Sequence, residues 1–201
     1  MGLWRSERAE EAATPEATAE ATEEVTPEAT ETASVELTES FTSSLGVTAS
    51  YPAGWVSRET DAGEIEIANS AEALDAGSDP SMPIQPGQIG FVVLNPIPVA
   101  MLNMGDNPAL TDVMTTVGGM LGGGGETTVG EVTDITLGER PAARIDITDD
   151  KTGSEGFLIG FMGDDSTLVV VAAVTPQGEL ATSEALLLEM TARVTYTAPA
   201  E

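Results

Sequence analysis

In the second half of the chain, apolar residues recur mainly at alternate positions, and that period decides most of what the chain can fold into. Val129, Val132, Ile135 and Leu137 lead to a turn at 138–141, and Ala143, Ile145 and Ile147 return from it. Phe157, Ile159 and Phe161 alternate again before Gly163, Asp164, Asp165 and Ser166. Period two belongs to a pleated strand with one buried face. Residues 168–174 are apolar throughout, as in a strand buried on both faces. Together, the strands at 157–161 and 168–174 read as a hairpin.

The first half carries shorter pieces of the same pattern. Leu45, Val47 and Ala49 predict a strand, and folding is expected to begin near Phe41. Tyr51, Pro52, Ala53, Gly54 and Trp55 predict a tight turn, with proline fixing one φ and glycine accepting a positive one. Ile65 and Ile67 alternate, residues 70–74 predict one short helical turn, and residues 89–94 predict a strand buried on both faces. Two stretches switch to helical spacing. One runs from about 108 to 121, with Leu110, Val113, Met114, Val117 and Leu121 on one face and with Asp106, Asn107 and Pro108 at its start. The other runs from about 179 to 192, with Leu180, Leu187, Leu188 and Thr191 inward. Each helix has one apolar stripe, so each is expected to cover a sheet face and to need no further partner. The class expected is α+β, an antiparallel sheet covered by helices.

Residues 1–40 are different material. They hold 11 acidic residues, 2 arginines and little that is large and apolar, and Thr-Pro-Glu-Ala-Thr occurs at 14–18 and again at 26–30. Burial there cannot offset the entropy of ordering, so a disordered acidic linker is expected, with residues 41–201 forming one globular domain. Threonines beside prolines and acids are the composition of stalks between a membrane anchor and an exported domain. Residues 1–8 have no apolar run of the kind a secretory leader needs, and the expectation is therefore an extracytoplasmic domain whose export signal lies outside this sequence. A cytoplasmic adaptor is the alternative.

The full chain carries 34 Asp and Glu against 7 Lys and Arg, a net charge of −27. Such a surface repels phosphate backbones, so nucleic acid is not an expected ligand. There is no cysteine and no histidine. This removes disulfides, thiol nucleophiles, Ser-His-Asp triads and histidine-held metals or haem. Gly122 to Gly125 follow a helix and precede Glu126, the reverse of a phosphate loop. Asp149-Asp150 and Asp164-Asp165 match no calcium-loop spacing and read as acidic turns. A paired-carboxylate hydrolase is the remaining enzyme class, but the chain has 8 aromatics to line a cleft and fill a core together. No catalytic residue, cofactor or metal is assigned.

From Phe41 to about Thr197 the chain resembles the PsbP-like family, which shares its fold with a yeast Ran-binding protein. Leu45-Gly46-Val47, Tyr51-Pro52-Ala53-Gly54-Trp55 and residues 65–69 carry the resemblance, and Leu187 and Met190 before Val194 fit the same order. It implies a central antiparallel β-sheet sandwiched between α-helices, an α/β/α sandwich, and a non-catalytic role. Plant members are extrinsic subunits of photosystem II. The metal-binding histidines of that family have no counterpart here. The fold is carried over, and the photosynthetic function is not.

The longest charge-free stretch runs from Pro80 to Gly105, and Pro83, Pro86, Pro96 and Pro98 interrupt it, so no membrane span is expected. Within it, Ile97, Val99, Met101 and Met104 fit no period. A stiff, proline-framed loop with adaptable methionines, with the glycine-rich run beside it, is the expected interaction site for a protein partner. Tyr51, Pro52, Gly54 and Trp55 are expected to be structural. The module is expected to be a monomer.

Overall fold

A computed structural model describes residues 35–78, 82–105, 107–121, 127–163 and 166–199. The expected acidic linker falls mostly on residues 1–34, outside the described residues.

The fold is α+β and dominated by sheet. A three-stranded sheet has the order β1 (Glu39–Thr42), β2 (Val47–Tyr51), β11 (Thr195–Tyr196). The larger sheet runs β3 (Val56–Glu59), β4 (Ile65–Ala68), β5 (Gly90–Val93), β10 (Thr167–Pro176), β9 (Ser154–Met162), β8 (Arg140–Asp149), β7 (Thr127–Leu137). A two-residue strand, β6 (Ile97–Pro98), also pairs with β10. All of these pairings are antiparallel. The helices are α1 (Ala71–Ser78), α2 (Leu110–Leu121) and α3 (Leu180–Ala192). β1 begins two residues before Phe41, and Leu37 already packs on the core.

Strand alternation divides the apolar residues between two cores. Phe157, Ile159 and Phe161 of β9, with Val169 and Val171 of β10, meet Leu187 and Met190 of α3 on one face. Leu158, Val170 and Ile145 meet Val113, Met114 and Val117 of α2 on the other. β9 is therefore buried on both sides, although only one face alternates visibly in the sequence. The second face works through glycine. A Cβ on Gly160 would stand 2.2 Å from the Met114 sulfur, so α2 reaches the sheet only because none is there. α3 lies on one face, α2 on the other, and the short α1 packs on β3, β4 and β5; none of them covers a whole face, so the expected helical layers are thin. β5 also departs from expectation. Phe91 and Val93 are buried and Val92 is half-buried, so one face of this strand is only partly covered.

Helix ends differ from the expected ones for local reasons. The helical turn at 70–74 extends to Ser78: the Ser70 hydroxyl accepts the Ala73 N–H at 3.1 Å, and Arg58 donates to the Leu74 carbonyl at 3.2 Å. α2 starts at Leu110, not at Pro108, because Asn107 is left-handed (φ 53°) and turns the chain first. α3 is capped from the sheet: Glu155 of β9 accepts the N–H groups of Gly178 and Leu180, both at 2.9 Å. A carboxylate at that position also suits the positive end of the helix dipole. At the far end, Arg140 donates to the carbonyls of Thr191, Ala192 and Val194 and stacks over Phe161, 3.5 Å from the ring centroid.

Among the described residues, no helix is long and apolar enough to cross a membrane.

Candidate functional site

The residues singled out by sequence do not form one exposed loop. Ile97 pairs with Leu168 of β10 and is half-buried. Val99 opens a 3-10 helix, Val99–Leu102, and is 7% exposed, a member of the core under α2. Met104 is half-buried, with its sulfur 3.6 Å from the Thr116 hydroxyl of α2. Only Met101 stands in solvent, 72% exposed. The stretch is thus a short strand and one helical turn folded onto the sheet, with a single methionine turned outward. Val99 is buried because β6 pairs with a strand some seventy residues later, a contact no local period reveals.

The turn at 51–55 is structural in detail. Trp55 N–H donates to the Pro52 carbonyl at 3.3 Å, which puts Pro52 first and Gly54, at φ +84°, third in the turn. The proline therefore sits one place earlier in the turn than its sequence position implied. Tyr51 is buried with its hydroxyl 2.9 Å from that of Ser57, and Trp55 packs half-buried at the rim of the core.

The acidic pairs divide. Asp149 accepts the N–H groups of Lys151 and Thr152 at 2.9 and 3.1 Å, and Asp150 accepts from Gln177 at 3.1 Å, so both stabilise the turn between β8 and β9. Asp164, Asp165 and the run Gly122 to Gly125 lie outside the described residues. Among the described residues no group of three or more carboxylates is placed to hold a metal ion.

The arginines of the described fold are used internally. Arg58 pairs with Glu66 and Asp75, Arg144 with Asp146 and Glu184, and Arg193 with Glu189. Burial works against the Arg144 guanidinium, but its hydrogen bonds to Glu184 and Asp146 hold its pKa above the ordinary value. Arg140 has no such carboxylate, and burial lowers its pKa.

What remains open is the surface around α2. Its outer side continues from Met104 through Thr116 to Met120, one helical turn on and 67% exposed. Beside the N-terminal end of α2 lies a cleft of about 650 Å³, bordered by Val99, Ala100, Pro108, Val113, Met162 and Ser166. A second groove of about 420 Å³ lies on the β7 flank, between Thr111, Thr115 and Gly118 of α2 and Val129, Glu131 and Val132 of β7. Among the described residues, the exposed large apolar side chains are Val35, Met82, Met101, Met120 and Met162, and three of the five belong to this region. Between positions 80 and 125 the only charged residues are Asp106 and Asp112. All three non-glycine residues with positive φ among those described, Asn103, Asn107 and Ser166, also lie here. Asparagine enters this conformation readily, and Asn103 is the C-cap of the 3-10 helix, so Ser166 is the residue at which it costs most.

The sequence pattern does not single out Met120 and Met162 as surface residues. Met120 sits at the edge of the α2 stripe next to Thr116, a signal that was present. Met162 follows Phe161 and so faces the α2 side, but the end of the hairpin carries it past the helix.

Among solved structures, the chain is similar to the solution structure of cyanobacterial PsbP (CyanoP) from Synechocystis sp. PCC 6803. The likeness covers 79% of this chain and 92% of that one, at a TM-score of 0.51 and 10% identity. A protein of unknown function from Pseudomonas aeruginosa, PA94, is similar over 76% of this chain and 92% of its own, at a TM-score of 0.43 and 11% identity. No family model and no curated protein matches the chain. The first likeness shows a PsbP-like fold.

Proposed function

We propose that this chain is a non-catalytic binding or assembly module. A monomeric α/β/α-sandwich domain is carried on the acidic segment that precedes Leu37 as a tether, works outside the cytoplasm, and docks a protein partner on the surface of α2 and the adjoining turn. The observation that carries this reading is the exposure of Met101 and Met120, 72% and 67%, in a region nearly free of charge on a chain of net −27. Solubility alone favours charge at such positions. Methionine combines apolar area with an adaptable shape, which suits a surface that closes against another protein. The Thr- and Pro-rich acidic composition of the tether supports the extracytoplasmic placement.

The test separates docking from folding. Met101→Ser with Met120→Ser is expected to leave the melting temperature within about 2 °C of wild type, since both side chains are exposed, and to abolish partner capture from native extract. Val99→Ser is expected to lower the melting temperature strongly. Loss of stability in the methionine variant, or capture that survives it, would reject the surface.

A further inference from the structure

We infer that the partner presents a cationic amphipathic segment. Large apolar side chains would lie against Met101, Met120 and Met162, and Lys or Arg side chains against Asp112 and Glu131. The inference rests on the docking reading above and adds the chemistry of the occupant.

Three observations carry it. First, the exposed methionines lie on α2 or on segments that border it. Met104 touches Thr116, Met120 follows Thr116 by one helical turn, and the cleft joins Ala100, the residue before Met101, to Met162. Second, two carboxylates on and beside α2 are free for an outside cation. Asp112 is exposed in the first turn of α2, and Glu131 is exposed on β7 across the second groove. Neither forms an ion pair among the described residues, whereas the arginines of the fold are held by their own carboxylates and carbonyls. Third, a net charge of −27 steers cations inward and repels both anionic lipid and a second copy of this chain. An uncharged apolar centre with acidic edges is complementary to an apolar stripe with basic edges. Concavities of about 650 and 420 Å³ accept a few large side chains each.

The experiment titrates the full chain with three dye-labelled synthetic peptides of roughly 16 residues, about four helical turns. One has a helical Leu/Lys pattern, one has Glu in place of Lys, and one has Ser in place of Leu. The Leu/Lys peptide is expected to bind. Met101→Ser with Met120→Ser should weaken it about tenfold or more. Asp112→Asn with Glu131→Gln should weaken it about threefold and reduce its salt dependence. Met82→Ser, an exposed methionine away from this surface, should change nothing.

Equal binding of the Ser/Lys peptide, or Leu/Lys binding that survives the methionine variant, would overturn the inference by reducing it to bulk attraction. Failure of the Leu/Lys peptide to bind would also overturn it. Preference for the Leu/Glu peptide, lost in the methionine variant, would overturn the cationic partner while leaving the docking surface standing. A dimer in sedimentation that dissociates in the methionine variant would assign the surface to a second copy and overturn it as well.

Discussion

Gly160 of β9 lies so close beneath Met114 of α2 that a Cβ built on the glycine would stand 2.2 Å from the methionine sulfur. This approach seats α2 on the sheet and fixes which of its residues face outward. Gly160→Ala is expected to cost about 1–3 kcal/mol, the usual range for overpacking a close-packed site. Met114→Ala in the same chain should recover part of that loss. Urea denaturation of the two single variants and the double variant measures the coupling, and additive effects would show that the two residues do not share this contact.

Arg140 fastens the other helix. Its guanidinium meets three carbonyls at the end of α3 and lies over Phe161, while its buried Nε has no partner. Arg140→Met should lose about 2 kcal/mol in thermal or denaturant unfolding, the scale of a hydrogen bond to a charged group. Arg140→Lys should restore little of it, because an ammonium cannot match the planar fork. A fully stable Arg140→Met variant would show that the α3 contact is incidental.

The Glu59 carboxylate is held below its ordinary pKa of 4.5 by hydrogen bonds from the Ser44 hydroxyl and backbone N–H. A depressed carboxylate stabilises the fold above its unfolded pKa, and that contribution is lost as pH falls through the folded value. Glu59→Gln should therefore lower stability near neutrality and flatten its dependence on pH below about 4.5. Equilibrium unfolding at several pH values follows the difference. A variant whose acid profile parallels the wild type would contradict the assignment.

Trp55 packs half-buried against the larger core, where the turn at Gly54 hands the chain to β3. Full burial would make Trp55→Ala cost roughly 3–5 kcal/mol, and the partial exposure reduces the expectation to about 2 kcal/mol. Fluorescence-detected unfolding is unsuitable for a tryptophan variant, so circular dichroism is the readout. A loss under about 0.5 kcal/mol would mark a surface tryptophan.

The parts of the fold legible in the sequence were those whose burial shows as a period. Phe157, Ile159 and Phe161 announced one face of β9, and the uninterrupted apolar run of β10 announced burial on both of its own. The second face of β9 was not legible, because Gly156 and Gly160 contribute to it by having no side chain. The candidate site was legible as a region and not residue by residue. The absence of charge between 80 and 105 and the methionines at 101 and 104 mark that region. Val99 belongs to the core because the strand before it, Ile97–Pro98, pairs with Leu168 and Thr167, far away in sequence. The α2 stripe was expected to leave no apolar residue needing a partner, yet Met120 stands 67% exposed at its edge.

Docking on α2 requires that Met101 and Met120 be covered by a partner in the protein's native setting. Peroxide footprinting compares the rates at which individual methionines become sulfoxides in purified protein and in fresh native lysate. Met82, 46% exposed and lining a separate groove beside Ala76 and Ile84, serves as the internal reference. Met101 and Met120 are expected to slow together in the lysate, by about tenfold at high occupancy of the kind an interface with sub-micromolar affinity gives, while Met82 keeps its rate. Equal rates for all three methionines in both settings, or protection of Met82 alongside the others, would contradict it.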